Sequence, residues 1–280
     1  MAAGLLKHAL VLAPETLYYE NDGLHGAAMT TNGSTPPLDA WQVESMRVTV
    51  FPSDVVPVEQ SWWDDIIGVP AETVTSRSKA GQYQAEGDFE ARRLRLQIQP
   101  GRIDWSVTPI IKAEDELTPV LGPLPDVLTS LSKVVSPWLS LASEMKRLAF
   151  GATLLQPVEN GPAGYALIQK YLHRLHPDLD GASDFFYQIN RPRPSGTQVP
   201  GLRINRLMRW SVQVAQRMAL TLGGGGAVTR NLGEETACRL ELDINTAPDF
   251  PGLLPAEHLT VILHEMMEFG REIAQKGDVR

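Results

Sequence analysis

Apolar and polar side chains alternate one for one along four stretches of this chain. Between Arg92 and Gln99 the apolar positions are Leu94, Leu96 and Ile98, with Arg93, Arg95, Gln97 and Gln99 interleaved. Ile103, Trp105 and Val107 oppose Arg102, Asp104, Ser106 and Thr108 in the same way. Later, Leu202, Ile204, Met208, Trp210, Val212 and Val214 oppose Arg203, Asn205, Arg209, Ser211 and Gln213. Cys238, Leu240, Leu242 and Ile244 likewise oppose Arg239, Glu241, Asp243 and Asn245. Successive side chains of a strand point to opposite faces, so each stretch predicts a strand that is apolar on one side only. Strands of this kind build antiparallel sheets with one face on a core and one face in water.

The intervening patterns predict the other elements. Arg47 to Phe51 has the β-branched content of a strand, and Val58, Trp62, Ile66 and Ile67 recur at helical spacing until Gly68. A strand at Glu72 to Ser76, continuing toward Tyr83, precedes the strands at Arg92 to Gln99 and Arg102 to Thr108, with a turn at Pro100-Gly101. A long helix then carries Val127, Leu128, Leu131, Val134, Val135, Trp138, Leu139, Ala142 and Met145 on one stripe, with Pro137 marking a kink or a fresh start. The second half repeats this order. It has a strand at Leu148 to Leu155, a helix through Leu167, Ile168, Tyr171, Leu172 and Leu175 that ends at Pro177, strands at Asp184 to Asn190, Leu202 to Leu220 and Thr236 to Asn245, and a helix from about Pro255.

Both halves therefore read β-α-β-β-β-α, with first strands starting at Arg47 and Arg147 and negligible side-chain identity between them. The expected fold class is α+β: two similar halves forming a largely antiparallel sheet with helices on one face. Three segments follow from this reading. Residues 1–45 hold an N-terminal strand at Leu5 to Leu12 and a mobile loop rich in Gly, Thr, Asn and Pro, residues 46–146 the first half, and residues 147–280 the second.

Composition excludes several classes. Of the 280 residues, 43% are hydrophobic and 21% charged, which rules out a mainly disordered chain, a collagen-like fibre and a membrane bundle. No run of 18 apolar residues occurs, so no membrane partnership is expected. The single cysteine, Cys238, sits in an apolar run and has no partner for an internal disulfide, which predicts a reducing, cytoplasmic setting. A net charge of −8 disfavours nucleic acid and anionic lipid on average, without excluding a local basic face.

Such a face is suggested by where the arginines fall. Phe185 to Gly233 holds seven arginines (191, 193, 203, 206, 209, 217 and 230) and no Asp, Glu or Lys, and Ala91 to Ile103 holds four more with one acid-free run. The planar guanidinium suits two-point recognition of carboxylate or phosphate. The candidate binding surface is the wet sheet face carrying Arg93, Arg95, Gln97, Arg203, Asn205 and Arg209, together with Asn190 at the end of its strand and Arg191 and Arg193 of the extended exit that follows. The competing account is cross-strand ion pairing, with Glu241 and Asp243 set against Arg203 and Arg209, and Glu90 and Asp104 flanking the first cluster.

The remaining motifs are weak. Gly223 to Gly226 lacks the Gly-Lys-Ser/Thr ending of a phosphate loop and reads as a loop between strands. His173 and His176 share a helix face without an evident third metal ligand, and His264 with Glu268 reads as a surface pair. No catalytic or metal site and no cofactor is assigned. The favoured reading is a non-catalytic, adaptor-like protein that holds a protein or anionic partner on its open sheet face, or associates with itself. Two alternatives stand beside it: a nucleic-acid binder gripping the backbone with arginines of both halves, and an enzyme whose site is assembled in space rather than in sequence.

Overall fold

A computed structural model describes residues 35–280 apart from 55–61, 112–117, 173–174, 176–177 and 224–225; of residues 217–232 it describes the backbone alone. The predicted N-terminal strand, the histidine pair at 173 and 176 and the middle of the glycine run lie outside the described residues.

The elements follow in the order β1 (Gln42–Pro52), α1 (Trp62–Ile67), β2 (Thr73–Arg77), β3 (Gln82–Phe89), β4 (Arg92–Gln99), β5 (Arg102–Thr108) and α2 (Leu124–Leu141). Then come β6 (Met145–Val158), α3 (Gly161–Tyr171), β7 (Phe186–Asn190), β8 (Arg193–Pro194), β9 (Arg203–Gly223), β10 (Gly226–Thr246) and α4 (Leu259–Lys276). The ten strands form one antiparallel sheet in the order β2-β3-β4-β5-β1-β6-β10-β9-β7, with β8 also on β9. The central strands β1 and β6 pair with Arg47 opposite Gly151 and Thr49 opposite Ala149. Outward from β1 the order is β5, β4, β3, β2; outward from β6 it is β10, β9, β7.

The alternation seen in the sequence decides which face is covered. Val48 and Val50 of β1, Leu148 and Phe150 of β6, Leu94 and Leu96 of β4, and Leu240 and Ile244 of β10 are fully buried. The helices pack on this side: Gly270 of α4 lies against Phe150, Leu242 and Ile244, and Gly164 of α3 against Val212. Two aromatic groups anchor the core. Trp63 stacks on Trp105 beside Trp138, and Tyr171 stacks on Trp210 beside Trp41, whose indole N–H donates to the Ala274 carbonyl. Burying such large rings contributes heavily to the core.

Several expectations need correction. The segment expected to run from Glu72 toward Tyr83 is two strands, because a 3-10 turn at Ser78–Ala80 and Gly81 at φ +62° reverse the chain. The first half therefore contributes five strands to the sheet rather than four. Pro137 neither starts nor ends a helix but lies inside α2, and α2 begins at Leu124 with Pro125 in its first turn, where a missing N–H costs nothing. The boundary between 146 and 147 falls inside β6.

The hairpin β9–β10 outgrows the sheet. β10 follows β6 only from Asn245 to Thr236, and β7 follows β9 only to Ser211. Beyond these points β9 and β10 continue as a two-stranded ribbon to the pair Gly223 and Gly226.

Candidate functional site

The four helices of the described residues lie on one side; among those residues no helix covers the opposite face of the sheet, whose middle is hollow. Among the residues that the central strands β5, β1 and β6 present there, Ser45, Thr49, Ser106, Ala149 and Gly151 are small. Larger side chains rise around them. The result is a depression of about 400 Å3 rimmed by Arg47, Arg95, Arg102 and Arg209, with Gln97, Asp104, Glu241 and Asp243 among its lining. Its volume lies within the range of small-ligand sites.

Two of the acids here, Asp104 and Glu86, lie beneath more exposed guanidiniums, whereas Asp243 is itself exposed. Asp104 is nearly covered: Arg102 donates to both its oxygens at 2.7 and 3.0 Å and Thr49 Oγ1 donates to Oδ1. Arg47 lies farther off, its Nε 3.7 Å from Asp104, with 53% of its side chain exposed against 8% for the acid. Arg95 uses only Nε, to Glu86 at 2.7 Å, and Arg209 uses Nε to Gln188 and one further nitrogen to Glu241. Each guanidinium thus keeps N–H groups that meet no protein acceptor among the described residues, whereas the oxygens of Asp104 and Glu241 are already engaged. A surplus of donors over acceptors makes the hollow complementary to an acceptor-rich, anionic group.

The sequence-selected residues separate into two groups. Arg93, Arg95, Gln97, Arg203, Asn205 and Arg209 all stand on the open face, at alternate positions of β4 and β9. Arg93 is the most heavily engaged: Glu86, Glu72 and Asp88 surround it at 2.6–2.8 Å, which pushes its pKa up and holds the Glu72 and Glu86 carboxyls below their ordinary 4.5. Asn190 reaches this face from β7, its amide donating to Asn205, which in turn donates to Asn245. Arg203 is exposed and has no polar side-chain partner among the described residues.

Arg191 and Arg193 are elsewhere. The proline-bound loop carries them to the helix side, where Arg191 makes a two-point pair with Asp278 at 2.9 and 2.8 Å and Arg193 meets Glu272 at 2.6 Å. They join Arg206, the one arginine on the apolar face of β9, which is fully buried between Glu272 and the Phe269 ring. Burial pushes the Arg206 guanidinium down to about 10, while Tyr187, buried and donating to Asp278, is pushed up to about 12. This cluster fastens the segment after α4 to the sheet and leaves no open anion site.

Sequence reading missed Arg47, Arg102, Asp104 and the small residues Ala149 and Gly151. The alternation did contain them, Arg102 and Asp104 on β5, Arg47 beside Val48 on β1, and Ala149 and Gly151 on either side of Phe150 on β6. What it did not contain was the pairing of β1 with β6, which brings them together.

A second depression, about 480 Å3, runs between α2 and α4 and is lined by Leu128, Ser132, Ser136, His264, Met267 and Arg271 among others. His264 does not pair with Glu268 as expected. Its Nε2 lies 3.2 Å from both the Ser132 and Ser136 hydroxyls, and Glu268 turns to Arg271 at 3.5 Å. Among the described residues no carboxylate orients this imidazole, and no group of three or more His, Cys, Asp or Glu is placed to hold a metal ion. No helix of the described residues is long and apolar enough to cross a membrane.

A scan against protein-family models and searches of curated proteins and of solved structures returned no match.

Proposed function

We propose that this protein acts by binding, holding a protein or other anionic partner on the open face of its sheet around the central hollow. One observation carries the reading: guanidiniums protrude over recessed, already engaged carboxylates, so that the face offers directed N–H donors in excess of acceptors. Surface pairing alone would set exposed acids against exposed bases; Asp104 and Glu86 instead lie beneath Arg47, Arg102 and Arg95.

We also infer that the two halves descend from one β-α-β-β-β-α unit. Supporting this, each half pairs its first strand with its last and sets the others outward in reverse chain order, with one strand more on the first half's path, and Thr49 and Ala149, a hundred residues apart, stand opposite each other at the centre. On this reading the hollow lies on the pseudo-twofold between the halves. A reducing, cytoplasmic setting remains part of the proposal, since the buried Cys238 thiol, pushed up by burial, is inert packing.

The test is fluorescence anisotropy with labelled poly-L-glutamate, poly-L-lysine and a thymidine oligonucleotide, each at low and physiological salt. Poly-L-glutamate binds the wild type and is lost from a variant in which Ala149→Phe and Gly151→Phe fill the hollow from the solvent side. Equal binding by the filled variant excludes the face. Tight oligonucleotide binding that falls steeply with salt replaces this reading with the nucleic-acid one.

A further inference from the structure

Register places two pairs of arginines in matching positions on the open face. Ser106 of β5 stands opposite Arg47 of β1 on one side and opposite Arg95 of β4 on the other. Ala247 takes the same place in the second half. The β6–β10 register ends at Ala149 opposite Asn245; carried two residues further it brings Ala247, just past β10, level with Arg147, and the Ala247 N–H donates to the Arg203 carbonyl at 2.9 Å. Each pair thus straddles one small residue, its backbones two strand spacings or about 10 Å apart. Two arginine side chains across that gap converge on a single anionic group.

The pairs differ in how far they are neutralised. Arg47 and Arg95 face Asp104 and Glu86. Arg147 donates to the neutral Asn245 at 3.1 Å and lies over the Phe51 ring, its Nε is buried without a hydrogen-bond partner, and Arg203 meets no acid among the described residues. The second pair therefore carries the stronger uncompensated positive charge. An amide and a ring hold Arg147 in place without cancelling its charge, as befits a group kept for an outside anion.

We propose that Arg47 with Arg95, and Arg147 with Arg203, are two carboxylate clamps that hold an acidic polypeptide segment diagonally across the hollow. This rests on the binding reading of the open face. The clamps are four residues apart along the central strands and three strand spacings apart across them, about 20 Å in all, which an extended chain covers in about six residues. The line that joins them passes over Thr49 and Ala149, and the floor flanks it with Asp104 on one side and Asp243 and Glu241 on the other. A nucleic-acid strand would lay charged phosphates beside those acids, whereas a peptide can set neutral or basic residues there and keep its acids for the ends.

The experiment uses the full chain and labelled Gly/Ser peptides carrying two Asp-Asp pairs, either six residues apart around a central Lys or directly adjacent, with a thymidine oligonucleotide alongside. The spaced peptide binds more tightly than the adjacent one. Arg147→Gln with Arg203→Gln weakens it about tenfold, Arg47→Gln with Arg95→Gln weakens it less, and Arg77→Gln at the sheet edge leaves it unchanged. Binding that survives both double variants but is lost when Ala149→Phe and Gly151→Phe fill the hollow overturns the clamps and leaves the open-face reading intact. No binding of either peptide, or an oligonucleotide that binds more tightly and depends on the same arginines, overturns the clamp proposal.

Discussion

Asp104 shows how a single side chain organises the open face. It is the only one of the hollow's three acids that is almost covered, and it receives Arg102, Thr49 and, more loosely, Arg47. Replacing it with Ala leaves the Thr49 hydroxyl and the Arg102 fork without their acceptor on the central strands. We expect Asp104→Ala to lower stability by about 1–3 kcal/mol in urea unfolding. Arg93 makes a second residue-scale prediction. Its pairing holds the Glu86 and Glu72 carboxyls below 4.5, so their contribution is present above that value and is lost as pH falls through the lower folded values. In Arg93→Gln the two carboxyls return toward their ordinary range. Urea midpoints measured from about pH 6 to pH 3 then fall less steeply than in the wild type, and parallel curves would contradict the pairing.

At the scale of elements, the packing of α3 on β9 depends on the absence of one side chain. A Cβ on Gly164 would come within 2.8 Å of Val212 Cγ2, closer than carbon atoms approach, so the helix must lift or the valine must turn. Gly164→Ala is expected to cost about 1–3 kcal/mol and to lower the melting temperature accordingly, although Ala is the better helix former. Which elements were legible follows the same logic of side-chain size. β4, β5, β9 and β10 announce themselves because large apolar residues occupy every second position. β3 does not, because its inward positions are Tyr83, Ala85, Gly87 and Phe89, and Gly87 is small where Trp63 presses against the strand. The same holds for the candidate site: Arg93, Arg95 and Arg209 could be read from alternation, whereas Arg191 and Arg193 were misplaced because a two-proline exit carries no periodicity to show its side. Arg206 was equally misleading, a charged residue at a core position of β9 held there by Glu272 and Phe269.

For the whole molecule, the strand order is what a linear reading lacks. Alternation shows that one face is wet but not that β1 and β6 meet at the middle, and the hollow exists only because they do. The β9–β10 ribbon is the other feature of this scale. A two-stranded ribbon is marginal in water on its own, and past Thr236 and Ser211 its backbone pairs strand to strand with no third strand among the described residues. Its stability is therefore separable from that of the sheet. Replacing residues 217–233 with an Asn-Gly turn, which closes Gln216 against Glu234, should shift the melting temperature by only about 2–4 °C. If the protein associates with itself through the unpaired ribbon edges, size-exclusion chromatography over a range of concentrations will show the wild type growing larger as the trimmed form stays monomeric. A large loss of stability on trimming would instead mean that the ribbon folds back on the body, and the open face would then have an occupant of its own.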